Sequence, residues 1–155
     1  MLDLFDEFSA LIAALTEREI EYAVCGGLAL ALHGAPRATI DIDLLIPPAA
    51  LAAVLAIAAE SGYTLPAKPM TFAAGAIQIQ RRTKADRASG DILTLDLLLV
   101  TPAISAVWAE RQELEWQSGK LWVVSRAGLI ALKRLRNSAQ DVADIERLTE
   151  QENES

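Results

Sequence analysis

Three carboxylates carry the chemistry that this sequence suggests. Asp41 and Asp43 lie in the run TIDIDLLI, and Asp96 lies in LTLDLLLV. Residues i and i+2 of a strand project to one side, with Cβ atoms roughly 6–7 Å apart, so Asp41 and Asp43 can share a hard cation or bridge two. Magnesium takes oxygen ligands and leaves room for phosphates and water. In phosphoryl-type transfer, two metals can stabilise the attacking and leaving oxygens together. Without a cation the two carboxylates repel, and burying either one costs free energy or shifts its pKa. An Asp-x-Asp pair also occurs on solvated strand faces, so the pair alone leaves both readings open. Asp96 is the only acid in its apolar run, and a buried aspartate is rare unless it is paired or bound to a metal. If its strand lies beside that of Asp41 and Asp43, three carboxylates converge on one site. The alternative is an Asp96 that caps a loop or pairs with a nearby arginine.

Upstream, Gly26-Gly27 follows the run EYAVC and precedes LALALH. Glycines between a strand and a helix let backbone amides approach a phosphate, although many such pairs are only turns. Arg37 precedes the Asp-x-Asp strand. It can meet a phosphate or pair with Asp43, Asp96 or a loop carbonyl. His33, the single histidine, is placed to cap carbonyls at a helix end. Cys25, the single cysteine, reads as a small buried hydrophobe. Trp108, Trp116 and Trp122 read as core or interface side chains. Arg81, Arg82, Lys84 and Arg87 read as a solvated turn that could also contact an acceptor. Lys133, Arg134 and Arg136 form a second basic cluster, which Asp141 and Asp144 can balance through pairs along a helix.

The elements that must position these groups follow from periodicity. Leu2, Phe5, Phe8, Leu11, Ile12 and Leu15 recur at spacings of three and four, which predicts an amphipathic helix over 2–18. Strands are expected at 21–25, 39–46, 76–80, 92–100 and 121–124, with a short edge strand near 63–65. Helices are expected at 28–33 and 49–61, within 102–115, and at 125–135 and 141–149. The segment RRTKADRASGD reads as a polar connection. The near-continuous apolar run at 92–100 fits a buried central strand. This order predicts an α/β (α+β) domain: a small, mixed, twisted sheet flanked by helices, over residues 1–150, with 151–155 a frayed tail.

Composition narrows the classes. The chain has 155 residues, 52% hydrophobic and 23% charged, which suits one globular domain. A net charge of −7 argues against a broad grip on nucleic acid, so DNA binding is not expected. A single nucleotide remains compatible, because a bound metal inverts the local sign. One cysteine permits no internal disulfide. Asp3, Asp6 and Glu7 stand where a signal peptide is basic, and no apolar stretch is long enough to span a bilayer. A cytoplasmic location without membrane attachment is the expectation.

The segment YAVCGGLALALHGAPRATIDIDLLI resembles the start of the nucleotidyltransferase (polymerase β-like) superfamily: a strand, Gly-Gly or Gly-Ser, a short helix, and a strand bearing Asp-x-Asp. Asp96 suits the place of the third carboxylate. The combination of Gly26, Gly27, His33, Gly34, Arg37, Thr39, Asp41 and Asp43, with LIALKRLRNSAQDVADIERL later, is most similar to the minimal bacterial group that includes AbiEii-type toxins. The resemblance implies metal-dependent transfer of a nucleoside monophosphate from a triphosphate to a hydroxyl of RNA, protein or a small molecule. It assigns Asp41, Asp43 and Asp96 to catalysis and to Mg2+ or Mn2+. It assigns Gly26, Gly27, Arg37, Thr39 and Lys133 to the nucleotide, such as ATP. The role it implies is the toxin of a toxin–antitoxin or phage-defence pair, with a cognate partner protein. The competing readings are a nucleotide-binding or antitoxin-like module with little turnover, and an α/β scaffold with structural acids. Two residues depart from the pattern: Gly27 replaces the Ser of many members, and Ile40 stands where relatives often carry Lys.

Overall fold

The computed structural model describes residues 1–117 and 119–154. Its centre is a mixed sheet of eight strands: β1 Ala23–Cys25, β2 Asp41–Ile46, β3 Leu65–Pro66, β4 Met70–Phe72, β5 Ile77–Ala85, β6 Ile92–Leu99, β7 Gln112–Trp116 and β8 Gly119–Val123. The strand order is β3-β5-β6-β2-β1-β8-β7, and β4 also pairs with β5. Strands β2 and β6 run parallel at the centre, β1 is antiparallel to β2, and β5 is antiparallel to β6. Among the described residues six α-helices flank the sheet: α1 Leu4–Glu17, α2 Gly26–Leu32, α3 Leu51–Glu60, α4 Ser105–Ala109, α5 Arg126–Arg136 and α6 Ala139–Glu154.

Strand alternation divides the central sheet into two unlike faces. Ile42, Leu44 and Ile46 of β2 join Leu95 and Leu97 of β6 in the core. Helix α3 packs on β6 and on α1, and α1 contributes Phe8, Leu11, Ile12 and Leu15 at the expected spacing. Asp3 caps α1 by accepting from the amide of Asp6 at 2.9 Å. The opposite face carries Asp41, Asp43 and Asp96, and α5 lies over part of it, with Leu129 and Leu132 lining a cavity shared with Asp43.

Several elements differ from the sequence expectation. Residues 81–85, read as part of a polar connection, extend β5, and the turn of the β5–β6 hairpin is confined to 86–91. Ladder pairing with the apolar β6 outweighs the low strand propensity of Arg and Lys. Residues 112–116 form strand β7 beyond the short helix α4, and β4 had no sequence signal. The glycines 26 and 27 belong to α2 itself. The expected frayed tail, residues 151–155, is helical through Glu154, and Ser155 lies outside the described residues. Among the described residues no helix is long and apolar enough to cross a membrane.

Helices α5 and α6 are joined by buried ion pairs. Lys133 is 3% exposed and donates to Asp144 at 2.9 Å. Arg37, in the loop before β2, clamps the same carboxylate through Nε at 2.9 Å and Nη2 at 3.0 Å. Arg136 clamps Asp141 in the same two-pronged way at 2.8 and 2.7 Å. These pairs cross between helices, which corrects the expectation of pairs along one helix. Burial pushes the Asp141 carboxyl up, but hydrogen bonds from Arg136 and Ser138 outweigh it and hold it at about 2. Removing one partner of a buried pair leaves the other charge uncompensated. Asp144→Ala is therefore expected to cost about 3 kcal/mol of unfolding free energy, read from urea denaturation. A loss under about 0.5 kcal/mol, the range of ordinary surface substitutions, would contradict this account of the network.

Candidate active site

The site is built by register. In the parallel β2–β6 ladder Asp43 lies opposite Asp96 and Asp41 opposite Thr94. In the antiparallel ladders Cys25 lies opposite Asp43, and Arg81 opposite Asp96. One row across the sheet therefore reads Arg81, Asp96, Asp43, Cys25, with Asp41 in the next row on the same face. Neighbouring strands are about 4.8 Å apart, so the three predicted carboxylates are brought to one place.

Their environments differ. Asp96 is 2% exposed, and both its oxygens are taken: Arg81 donates from Nε at 2.7 Å and from Nη2 at 2.9 Å. Of the two readings of Asp96, convergence and pairing with an arginine, the structure contains both. Asp41 is partly buried and accepts from the Thr94 hydroxyl. Asp43 is 6% exposed, and among the described residues no donor is hydrogen-bonded to its carboxylate. Burial, then the charges of Asp96 and Asp41, push its pKa up to about 7, against weaker opposing pulls from Arg136 and Lys133.

Gly26 sits directly over that carboxylate. It adopts φ +64°, and a Cβ there would meet Asp43 Oδ2 at 2.1 Å, so only glycine leaves the carboxylate its place. Gly27 is similarly close to the Arg37–Thr39 segment, where a Cβ would lie 3.1 Å from Thr39 Oγ1. Thr39 itself accepts from the amide of Asp41 at 3.2 Å, fixing the entry to β2. Beside Asp43 is a cavity of about 20 Å³, room for about one water molecule, with Gly26, Leu98, Leu132 and Arg136 in its wall.

Of the residues expected to meet a nucleotide, Gly26, Gly27 and Thr39 stand at the carboxylates. Arg37 and Lys133 are engaged by Asp144. Arg37 also donates from Nη1 to the Ala38 carbonyl at 3.1 Å, the loop carbonyl among its expected partners, while the pairing with Asp43 or Asp96 does not form. His33 ends α2, and its Nε2 lies 2.8 Å from the Val124 carbonyl oxygen, so that nitrogen donates. Sequence reasoning missed Arg81 as the partner of Asp96. The signal was there, since Ile77, Ile79 and Arg81 continue one period-two face.

The donor set suits a hard cation at Asp41 and Asp43, where an oxygen-only pair includes a buried carboxylate lacking a donor. Asp96 is not free in the same way. Among the described residues no group of three or more His, Cys, Asp or Glu side chains is arranged to hold a metal ion.

Comparison with solved structures identifies the fold. The lincosamide antibiotic adenylyltransferase LnuA, in its lincomycin-bound form, aligns with a TM-score of 0.59 at 13% identity over 93% of this chain and 95% of its own. ANT(2″)-Ia in complex with adenylyl-2″-tobramycin aligns at 0.60 with 14% identity, over 91% and 84%. TM1012 from Thermotoga maritima, a nucleotidyltransferase candidate, aligns at 0.59 with 16% identity, over 97% and 93%. The chain has the nucleotidyltransferase fold. No protein-family model matches its sequence, and no curated protein matches it significantly.

The pKa of Asp43 has a consequence for stability. Its folded value of about 7 lies above the ordinary 3.8, so the folded state holds a proton that the unfolded chain releases. The resulting stability is present below pH 4 and is lost as pH rises to about 7. Asp141 and Asp144, both held down, act in the opposite sense and below that window. In EDTA, unfolding free energy is expected to fall from pH 4 to 7 more steeply in wild type than in Asp43→Asn. Parallel pH profiles would show that Asp43 is not the buried acid described here.

Proposed function

We propose that this chain is a metal-dependent nucleotidyltransferase that moves a nucleoside monophosphate from a nucleoside triphosphate to a hydroxyl acceptor. The observation that carries the reading is Asp43: a buried carboxylate without a donor among the described residues, beneath Gly26, facing Asp96 and two residues from Asp41. Burying a carboxylate in that state is costly, and a divalent cation removes the cost. Asp41 and Asp43 would hold Mg2+ or Mn2+. The ion would supply charge neutralisation for the triphosphate and for the displaced pyrophosphate. Gly26 and Gly27 open α2, where the first amides lack helical partners, and they let the Asp43 carboxylate and Thr39 pack directly against that helix start. Thr39 holds the start of β2. Arg37 and Lys133 act one layer back: through Asp144 they brace the loop before β2 and the helix behind the cavity.

The acceptor class is a hydroxyl of RNA, protein or a small molecule. The adenylyl-tobramycin bound to ANT(2″)-Ia supports a hydroxyl-bearing acceptor in this fold. The role as toxin in a toxin–antitoxin or phage-defence pair, with a cognate partner protein, rests on the sequence resemblance to AbiEii-type proteins. One observation favours a second reading, a nucleotide-binding or antitoxin-like partner module with little turnover. Arg81 holds both oxygens of Asp96, the carboxylate that would help to activate the acceptor hydroxyl.

Calorimetry with ATP and CTP separates these readings. Wild type is expected to bind nucleotide only when Mg2+ is present. Asp43→Ala should weaken that binding at least tenfold, about 1.4 kcal/mol. Labelled nucleotide should then transfer to an RNA or protein fraction. Absence of Mg2+-dependent binding in wild type would sink both readings, and binding without transfer would leave the module.

Gly26→Ala is a second check on the same centre. The added methyl should displace Asp43, and Mg2+-dependent nucleotide binding is expected to fall by at least tenfold while the fold, followed by far-ultraviolet circular dichroism, persists. Unaltered binding in a folded Gly26→Ala protein would contradict the contact.

A further inference from the structure

Arg81 has no role in the proposed transfer reaction, and its placement asks for one. It faces Asp96 from the neighbouring strand β5 and forms a two-pronged ion pair with it. Its charge is in the field of all three carboxylates: the Arg81 guanidinium is held in its charged form by Asp96 first, and also by Asp41 and Asp43. Arginine is suited to this, because its planar fork matches a carboxylate and it cannot lose its proton at ordinary pH. Asp96 is thereby satisfied twice over, while Asp43 beside it has no donor among the described residues.

Charge accounting gives the same division. Three carboxylates and one guanidinium leave two negative charges, which one divalent ion cancels. Arg37, Lys133 and Arg136 make their ion pairs with Asp144 and Asp141 and not with the three carboxylates, and Lys133 and Arg136 reach Asp43 only as the weaker opposing pulls already described. Among the described residues no third carboxylate is open beside Asp41 and Asp43, since Arg81 takes both oxygens of Asp96.

We infer that Arg81 stands in for a second metal ion: the free protein takes one divalent cation, at Asp41 and Asp43, and the guanidinium occupies the cationic place at Asp96. This rests on the proposed metal-dependent reading and specifies its ion count. Arg81 is then a positioning residue. It holds Asp96 toward the site while engaging both its oxygens, so Asp96 accepts a proton from an acceptor hydroxyl only where Arg81 yields.

The test counts Mn2+ bound per chain, without nucleotide, from the paramagnetic resonance of free Mn2+. Wild type is expected to bind one ion. Arg81→Gln frees Asp96 and should raise the count to two. The double variant Arg81→Gln/Asp96→Asn removes both charges, leaves no unpaired buried ion, and should bind one ion with affinity within about threefold of wild type. Two ions in wild type would overturn the inference and leave the metal-dependent reading standing. So would a tenfold loss of affinity in the double variant, which would make Asp96 a ligand of the first ion, or a count of one in a folded Arg81→Gln protein. No Mn2+ bound to wild type would remove the metal-dependent reading and this inference together.

Discussion

The parallel pairing of β2 with β6 sets the electrostatics of the whole molecule. Because Asp43 is opposite Asp96, two carboxylates are forced side by side in the middle of a sheet whose other face is closed by Ile42, Leu44, Leu95 and Leu97. Sliding the register by one residue would turn the acids into that apolar layer. The burial that stabilises the fold therefore also holds the acids together. The repulsion this creates is relieved unevenly: Arg81 satisfies Asp96, Thr94 contributes a hydroxyl to Asp41, and Asp43 keeps a raised pKa.

A second layer of charge keeps the first in position. Arg37, Lys133 and Arg136 meet Asp144 and Asp141 behind the carboxylate row. The network ties the loop that enters β2 to α5 and α6. Further along α6, Arg147 donates to the Pro36 carbonyl at 2.9 Å, and Gln151 donates to that of Gly34. Basic residues near a glycine pair and an Asp-x-Asp strand look in a sequence like phosphate ligands, yet here their first obligation is to carboxylates of the same chain. The structure makes them braces, which explains why burying Lys133 almost completely is tolerable.

What could be read from the sequence was whatever local pattern determines. The Asp41–Asp43 face follows from the two-residue strand period, and Asp96 stood out because an apolar run surrounded it. The strand-to-helix change at Gly26-Gly27 and the apolar stripe of α1 were legible for the same reason. What escaped reading was decided by partners far along the chain. Residues 81–85 look like a solvated turn because Arg, Thr and Lys are poor strand signals, and only pairing with β6 makes them a strand. The carboxylate that Arg37 clamps lies 107 residues away, beyond the reach of spacing arguments. Strand β7 depends on β8, and its alternation in QELEW was masked by the neighbouring helix.

The docking of α6 on the loop between α2 and β2 also has a meaning in time. Residues 139–151 leave the ribosome well after both carboxylate strands, and a domain folds as a unit, so the assembly around those strands is completed only when α6 has emerged. For that interval the acids, the glycines and the hairpin bearing Arg81 exist without the clamp on Arg37 and without a partner for Lys133. Closure of the loop that leads into Asp41 thus waits on the last helix. The carboxylate cluster would be braced in one late step, so that a nascent chain halted before α6 would carry Asp41, Asp43 and Asp96 without the clamp on the loop that leads into them.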